Sequence, residues 1–195
     1  EGAKICITGR RQEVLDDVAR LLPGGTVATC SGDVTVYADT KRMVDAAVAF
    51  GGKLDILVNN AGVDKGDVIV DLDPAVWHEV LETNLTGPFY LMKFALPHMI
   101  AAGGGSVINM ASLAGVRCIP NMAAYCSAKA GLIMLTQQAA LDYGPHGIRC
   151  NAVTPGPTAT DAWLGDGGLA DQQGERKAVL EKVGAGRPLG RLARP

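Results

Sequence analysis

Tyr125 and Lys129 stand at i and i+4 in the run Tyr125-Cys126-Ser127-Ala128-Lys129. In a helix that spacing stacks two side chains on one face, one turn apart. A phenol ordinarily titrates near about 10 and is a poor base at neutral pH. An ammonium beside it favours the phenolate and lowers that value. A tyrosine tuned in this way passes a proton to or from a carbonyl or alcohol oxygen. Upstream, Ser112 ends the apolar, strand-like run Ser106-Val107-Ile108-Asn109-Met110-Ala111, where its hydroxyl could hold the same oxygen. A bare Tyr-x-x-x-Lys pair arises by chance on many helices, so its weight rests on context.

The elements that must position these groups follow from the pattern of apolar runs. Strands are predicted at 4–9, 26–30, 55–60, 105–111 and 147–153, and helices at 11–22, 39–50, 74–101 (broken near Asn84), 123–143 and 174–184. Strands alternating with helices predict an α/β fold, a doubly wound parallel sheet covered on both faces. Gly103-Gly104-Gly105 runs from helix to strand. A phosphate cradle needs the opposite order, so this triplet reads as a helix stop. Helix 123–143 carries Ala130-Gly131-Leu132-Ile133-Met134-Leu135, apolar around its whole girth, which predicts burial on more than one side. The polar, glycine-rich stretch 161–186, with Gly165-Asp166-Gly167-Gly168, reads as a lid over a substrate site.

Composition narrows the class. The chain has 195 residues, the size of one domain, and is 48% hydrophobic, which is ample for a core. Lys plus Arg number 18 against 20 Asp plus Glu, a net charge of −2, so there is no basic footprint for nucleic acid. No apolar run is long enough to span a membrane, and no leader pattern is visible. Cys6, Cys30, Cys118, Cys126 and Cys150 are odd in number and lack a C-x-x-C spacing. That argues against a disulfide framework or a zinc site and favours a reducing, cytoplasmic location. His78, His98 and His146 form no ligand spacing, so no metal is expected.

Further motifs recur in a fixed order: Asp55-Ile56-Leu57-Val58-Asn59-Asn60-Ala61-Gly62, then Asn84-Leu85-Thr86-Gly87, Asn109-Met110-Ala111-Ser112, Tyr125-x-Ser127-x-Lys129, and Asn151-Ala152-Val153-Thr154-Pro155-Gly156-Pro157-Thr158-Ala159-Thr160. In this order and at these intervals the chain resembles the short-chain dehydrogenase/reductase family, over nearly every residue from Lys4 to Pro195. It departs from the family at both ends. Family members open with a strand, a Thr-Gly-x-x-x-Gly-x-Gly turn and a helix, whereas Glu1 to Arg10 looks like the family's second strand. They also continue past Pro195 with a helix and a last strand. The first βα unit and the last strand are therefore expected to be absent from this chain. The absent first strand is central, so two unpaired sheet edges are expected.

The resemblance implies an enzyme that interconverts a carbonyl and an alcohol by hydride transfer with NAD(P). It implies Tyr125 as proton donor or acceptor and Ser112 as the group that orients the reacting oxygen. Lys129 would lower the tyrosine pKa and bind the nicotinamide ribose, and Asn84 would hold a water for proton return. Asp33 and Val34 match the Asp-Val pair that contacts adenine. Asn60, Ala61 and Gly62 match the turn over which the cofactor lies. Pro155, Gly156, Thr158 and Thr160 match the segment that holds the nicotinamide carboxamide. Members using NAD carry an acid at the end of the second strand, where this chain has Gly9 and then Arg10. A guanidinium pairs with a 2′-phosphate, so NADP(H) is expected in preference to NAD(H). Two solvated arginines at a helix start are the plainer reading of Arg10-Arg11.

Several functions stay open at this level. A 3-oxoacyl thioester reductase and a dehydrogenase of sugars, polyols, steroids or simple alcohols both fit, and residues 113–122, mostly apolar, would line the substrate pocket. An inactive fragment or a cofactor-binding scaffold is the alternative from another class. A scaffold would be expected to lose part of the Asn84, Ser112, Tyr125 and Lys129 set, and all four are present. A dimer or tetramer through helices 84–101 and 123–143 is expected from the resemblance. The expected ligand is a small carbonyl or alcohol, not nucleic acid or a membrane.

Overall fold

The computed structural model describes residues 2–160, 181, 183–186 and 190–193. The chain forms two compact units, Glu1–Thr154 and Pro155–Pro195. In the first, strands and helices alternate as β1 (Ile5–Gly9), α1 (Gln12–Arg20), β2 (Val27–Ser31), α2 (Tyr37–Gly51), β3 (Ile56–Asn59), α3 (Pro74–Leu81), α4 (Gly87–Ala101), β4 (Gly105–Met110), α5 (Ala123–Tyr143) and β5 (Ile148–Val153). Each matches a predicted run to within a few residues at its ends. The predicted helix 174–184 and the lid 161–186 fall largely outside the described residues.

Local chemistry explains the boundaries. Asp73 accepts from the Ala75 N–H at 2.8 Å ahead of Pro74, which caps and starts α3. Gly52, at φ 80°, ends α2 by returning its N–H to the Val48 carbonyl at 2.8 Å. Gly103, at φ 81°, ends α4 as the glycine triplet predicts. Between α3 and α4 the helix continues without a gap as a π-turn, Glu82–Thr86. One residue is accommodated extra in the coil there, a distortion that recurs at functional sites.

All strand pairings are parallel, in the orders β1-β2 and β3-β4-β5. Among the described residues β1 pairs only with β2 and β3 only with β4 on that side. Ile56 and Val58 of β3 are 59% and 53% exposed, and Ile5 of β1 is 43% exposed. These are the unpaired edges expected for a sheet lacking its central strand. The two sheets nonetheless share a core. Met43 and Val44 of α2 and Leu91 and Ala95 of α4 form a buried cluster against which Cys6 of β1 and Leu57 of β3 both pack. A second cluster joins Met92, Leu96 and Met99 of α4 to Val107, Ala139, Ile148 and Cys150.

A polar chain crosses this interior. Asn59 Nδ2 donates to Asn109 Oδ1 at 2.7 Å, and Asn109 Nδ2 donates to Thr136 Oγ1 at 2.8 Å. Thr136 in turn donates to the Leu132 carbonyl at 2.6 Å. The chain locks β3, β4 and α5 in one register. Asn109→Ala leaves the buried Asn59 amide unpaired and should lower unfolding stability by about 2–3 kcal/mol. Chemical denaturation reads this directly, and an unchanged midpoint would show that the network carries no stability.

Candidate active site

The site lies where β3, β4 and α5 converge. Tyr125 sits in the first turn of α5, and Lys129 one turn later is 4% exposed. The Lys129 Nζ lies 5.6 Å from the centre of the Tyr125 ring. It donates to the Met110 carbonyl, at the end of β4, at 2.7 Å. Ser112 follows β4 and accepts from the Ala114 N–H at 3.1 Å, which fixes its side chain at the start of a short 3-10 turn, Leu113–Gly115. Asn84 lies in the π-turn, fully buried. Its Nδ2 donates to the carbonyls of Val63 at 2.7 Å and Val80 at 2.9 Å. Its Oδ1 is buried without a hydrogen-bond partner.

Burial shapes the electrostatics. Lys129 is lowered to about 8, mainly because its ammonium loses solvation, while the carboxyl of Asp64 pulls it upward. Tyr125 is raised above its ordinary value. Burial is the main cause, Asp64 and Cys126 add to it, and hydrogen bonding by Ser112 opposes it. The i, i+4 spacing predicts the opposite direction for the tyrosine. The difference arises because burial, which disfavours the phenolate, prevails, while the Lys129 ammonium is directed to the Met110 carbonyl. The chain therefore holds a protonated tyrosine and a readily deprotonated lysine at the same place.

The turn after β3 leaves Asn60, Ala61 and Gly62 exposed. A Cβ on Gly62 would stand 2.8 Å from Asn84 Oδ1 and 3.6 Å from Lys129 Nζ. Bare backbone there leaves space above both groups. A dinucleotide fits these residues on three counts: that space, the spare N–H groups of Lys129, and the orphaned Asn84 oxygen. Arg10 and Arg11 follow β1, exposed and without an ion pair among the described residues. Asp33 follows β2, with its carboxylate accepting from the Thr35 N–H and hydroxyl at 2.9 and 2.8 Å. Val34 packs on the α2/α4 cluster, and a Cβ on Gly87 would stand 3.0 Å from it. Pro155, Gly156, Thr158 and Thr160 belong to the second unit. Within it the Thr158 hydroxyl donates to the Gly156 carbonyl at 3.1 Å, and Thr158 bridges Ala193.

Sequence reasoning brings Asn84, Ser112, Tyr125 and Lys129 to one place but misses Asp64. Its only signal is an acid just after the Asn-Asn-Ala-Gly turn. An apolar groove opens nearby, about 370 Å³, lined by Asp67, Val68, Ile69, Val70, Ile119 and Met122 among others.

Parallel strands wrapped by helices, with a serine, tyrosine, lysine and asparagine gathered near β4 and α5, form a site that can exchange a proton with a bound oxygen. Comparison with known proteins agrees: the short chain dehydrogenase family profile matches residues 1–165. The chain belongs to the short-chain dehydrogenase/reductase family. It is 38% identical to 2-(S)-hydroxypropyl-CoM dehydrogenase 3 of Xanthobacter autotrophicus, over all of this chain and 76% of that protein. It is 34% identical to an NAD-dependent glycerol dehydrogenase of Listeria innocua, over 94% of this chain and 71% of that protein. Among solved structures, L-sorbose reductase from Gluconobacter frateurii, complexed with NADPH and L-sorbose, superposes with a TM-score of 0.92 at 28% identity. That match covers all of this chain and 76% of the other. The protein is thus an NAD(P)-binding dehydrogenase acting on CH–OH groups. Among the described residues no helix is long and apolar enough to cross a membrane.

Proposed function

We propose that this protein is an NADP(H)-dependent oxidoreductase that interconverts a carbonyl and an alcohol, with Tyr125 as the proton donor and acceptor. The observation that carries this reading is the convergence of Tyr125, Lys129, Ser112 and Asn84 around the open backbone at Gly62. The cofactor, when bound, supplies or accepts the hydride. Tyr125, kept protonated by burial, gives its proton to the carbonyl oxygen during reduction. Ser112 hydrogen-bonds that oxygen and orients it. Lys129 supplies positive charge beside the tyrosine and holds ribose hydroxyls. Asn84, with one oxygen unspent, holds a water through which the proton is replenished.

Arg10, exposed at the end of β1 where an acid would reject a 2′-phosphate, supports NADP(H) over NAD(H). Asp33, Val34, Asn60, Ala61 and Gly62 are the proposed adenine and backbone contacts, and Pro155, Gly156, Thr158 and Thr160 the carboxamide contacts. Residues 1–195 act on this reading as one NAD(P)-binding domain with a substrate lid at 161–186. The ratio of kcat/KM with NADPH and NADH tests the cofactor assignment. A preference for NADH of tenfold or more would sink it.

The apolar groove beside 68–70 and 119–122 suits a substrate with an apolar body, as a 3-oxoacyl thioester reductase or an alcohol dehydrogenase would use. Exposed Phe89 on α4 and Met134 and Leu141 on α5, the last 74% exposed, support a homo-oligomer through these helices. Light scattering of the complete protein distinguishes that assembly from a monomer.

A further inference from the structure

We propose that Gly115 is a positioning residue for the reaction: its bare backbone lets the turn that carries Ser112 close onto α5 at Lys129, and that contact holds the serine hydroxyl where it meets the reacting oxygen. This inference rests on the catalytic assignment above and adds the residue that sets its geometry.

The segment after β4 is pinned to one residue at two points. Before Ser112, the Met110 carbonyl accepts from the Lys129 ammonium at 2.7 Å. After it, Gly115 lies against the Lys129 backbone, so closely that a Cβ on Gly115 would stand 2.8 Å from both the carbonyl carbon and the carbonyl oxygen of Lys129. The same Cβ would stand 2.8 Å from Ile133 Cδ1, one turn further along α5. Ser112 is bracketed by these two contacts. Between them the turn is fixed from within. The Ser112 Oγ accepts from the Ala114 N–H at 3.1 Å, and the Ser112 carbonyl accepts from the Gly115 N–H at 2.9 Å. Ala114 is buried. A displacement at Gly115 is therefore passed directly to Ser112.

Space, not backbone conformation, reserves this position for glycine. Gly115 closes the 3-10 turn with a φ outside the left-handed region, so other residues could adopt its backbone. They could not keep the contact. The Ile133 methyl can swing aside, but the Lys129 carbonyl belongs to the backbone of α5 and is held there by the helix. With one added methyl the turn must back away from α5 by about half an ångström or more to restore ordinary van der Waals contact. Tyr125 sits on α5 one turn before Lys129, so this retreat carries Ser112 away from the helix that holds the proton donor. Misplacing a catalytic group by about 1 Å can cost about 10²-fold in rate.

The test is a double-mutant cycle on the complete enzyme, with NADPH and cyclohexanone as the probes. Gly115→Ala should lower kcat at least about tenfold while the KM for NADPH stays within about twofold of the wild type. In a Ser112→Ala background no hydroxyl is left to misplace, so the same substitution should change kcat by no more than about threefold. Equal fold-losses in the two backgrounds would overturn the proposal, as would a wild-type kcat in Gly115→Ala or a loss confined to the KM for NADPH. Should thermal unfolding show that Gly115→Ala does not fold, the cycle is run on Ile133→Ala. That change removes the side-chain half of the crowding and leaves the backbone half, and the same ratios are expected. Ser112→Ala by itself separates the two readings. If it keeps full turnover, the catalytic assignment of Ser112 fails and this proposal with it. If it is crippled while Gly115→Ala is not, only the Gly115 assignment fails.

Discussion

Tyr125→Phe removes nearly all turnover, about 10³-fold or more, while the affinity for NADPH stays within about twofold of the wild type. On the proposed assignment the phenol exchanges the proton with the reacting oxygen, and the substitution deletes that proton without altering the ring's packing. Tyr125 is half-buried against Val80, Ala124 and Ala128, contacts that phenylalanine keeps. Steady-state turnover and a fluorescence titration of the cofactor read the two quantities separately. Turnover within tenfold of the wild type would refute the assignment. A matching collapse of cofactor affinity would show that the hydroxyl serves binding rather than chemistry.

Lys129→Met should lose turnover by about 10²-fold or more and yet leave the protein at least as stable at pH 7. Lys129 is 4% exposed, and its pKa is lowered to about 8. The unfolded chain holds that proton up to about 10.5, and the folded chain releases it near 8. Below pH 8 both states are protonated and the full cost of burying the ammonium is present. Between 8 and about 10.5 the unfolded state binds more protons, so this group's contribution to stability rises with pH. Methionine removes the cost. Wild type and variant should therefore converge in stability as pH rises through that window, as thermal unfolding would show. Reductive kcat/KM of the wild type should also fall as pH passes about 8, where the ammonium is lost, and the variant should lack that inflection. A wild-type profile flat from pH 7 to 9.5 would refute the coupling. A residue kept at such a cost to the fold is expected where activity and stability trade against each other.

Much of this protein was legible in its sequence. Strand positions were readable because each strand is a short segment rich in apolar residues set between helical stretches. The stop at Gly103 was readable because its conformation is local. Tyr125 and Lys129 could be named from their spacing on one helix face and Ser112 from its place at a strand end, whereas Asn84 came from the resemblance to the family. The unpaired edges at β1 and β3 likewise follow from which elements the chain contains.

What only the tertiary structure decided are the quantities that depend on distance through space. Spacing put a cation near Tyr125 but could not say that the ammonium would turn to the Met110 carbonyl. The tyrosine is raised rather than lowered because its burial, which no sequence spacing reports, is the dominant influence on it. Nothing in the order of residues marks Asn59, Asn109 and Thr136 as one buried chain, because they come from three elements and meet only when β3, β4 and α5 pack. Asp64 reads as an ordinary acid in a turn. Its charge bears on Tyr125 and Lys129 only in the folded chain, where residues distant in sequence are brought near it. Desolvation and Coulomb interactions depend on the full set of neighbours, and only the folded chain specifies that set.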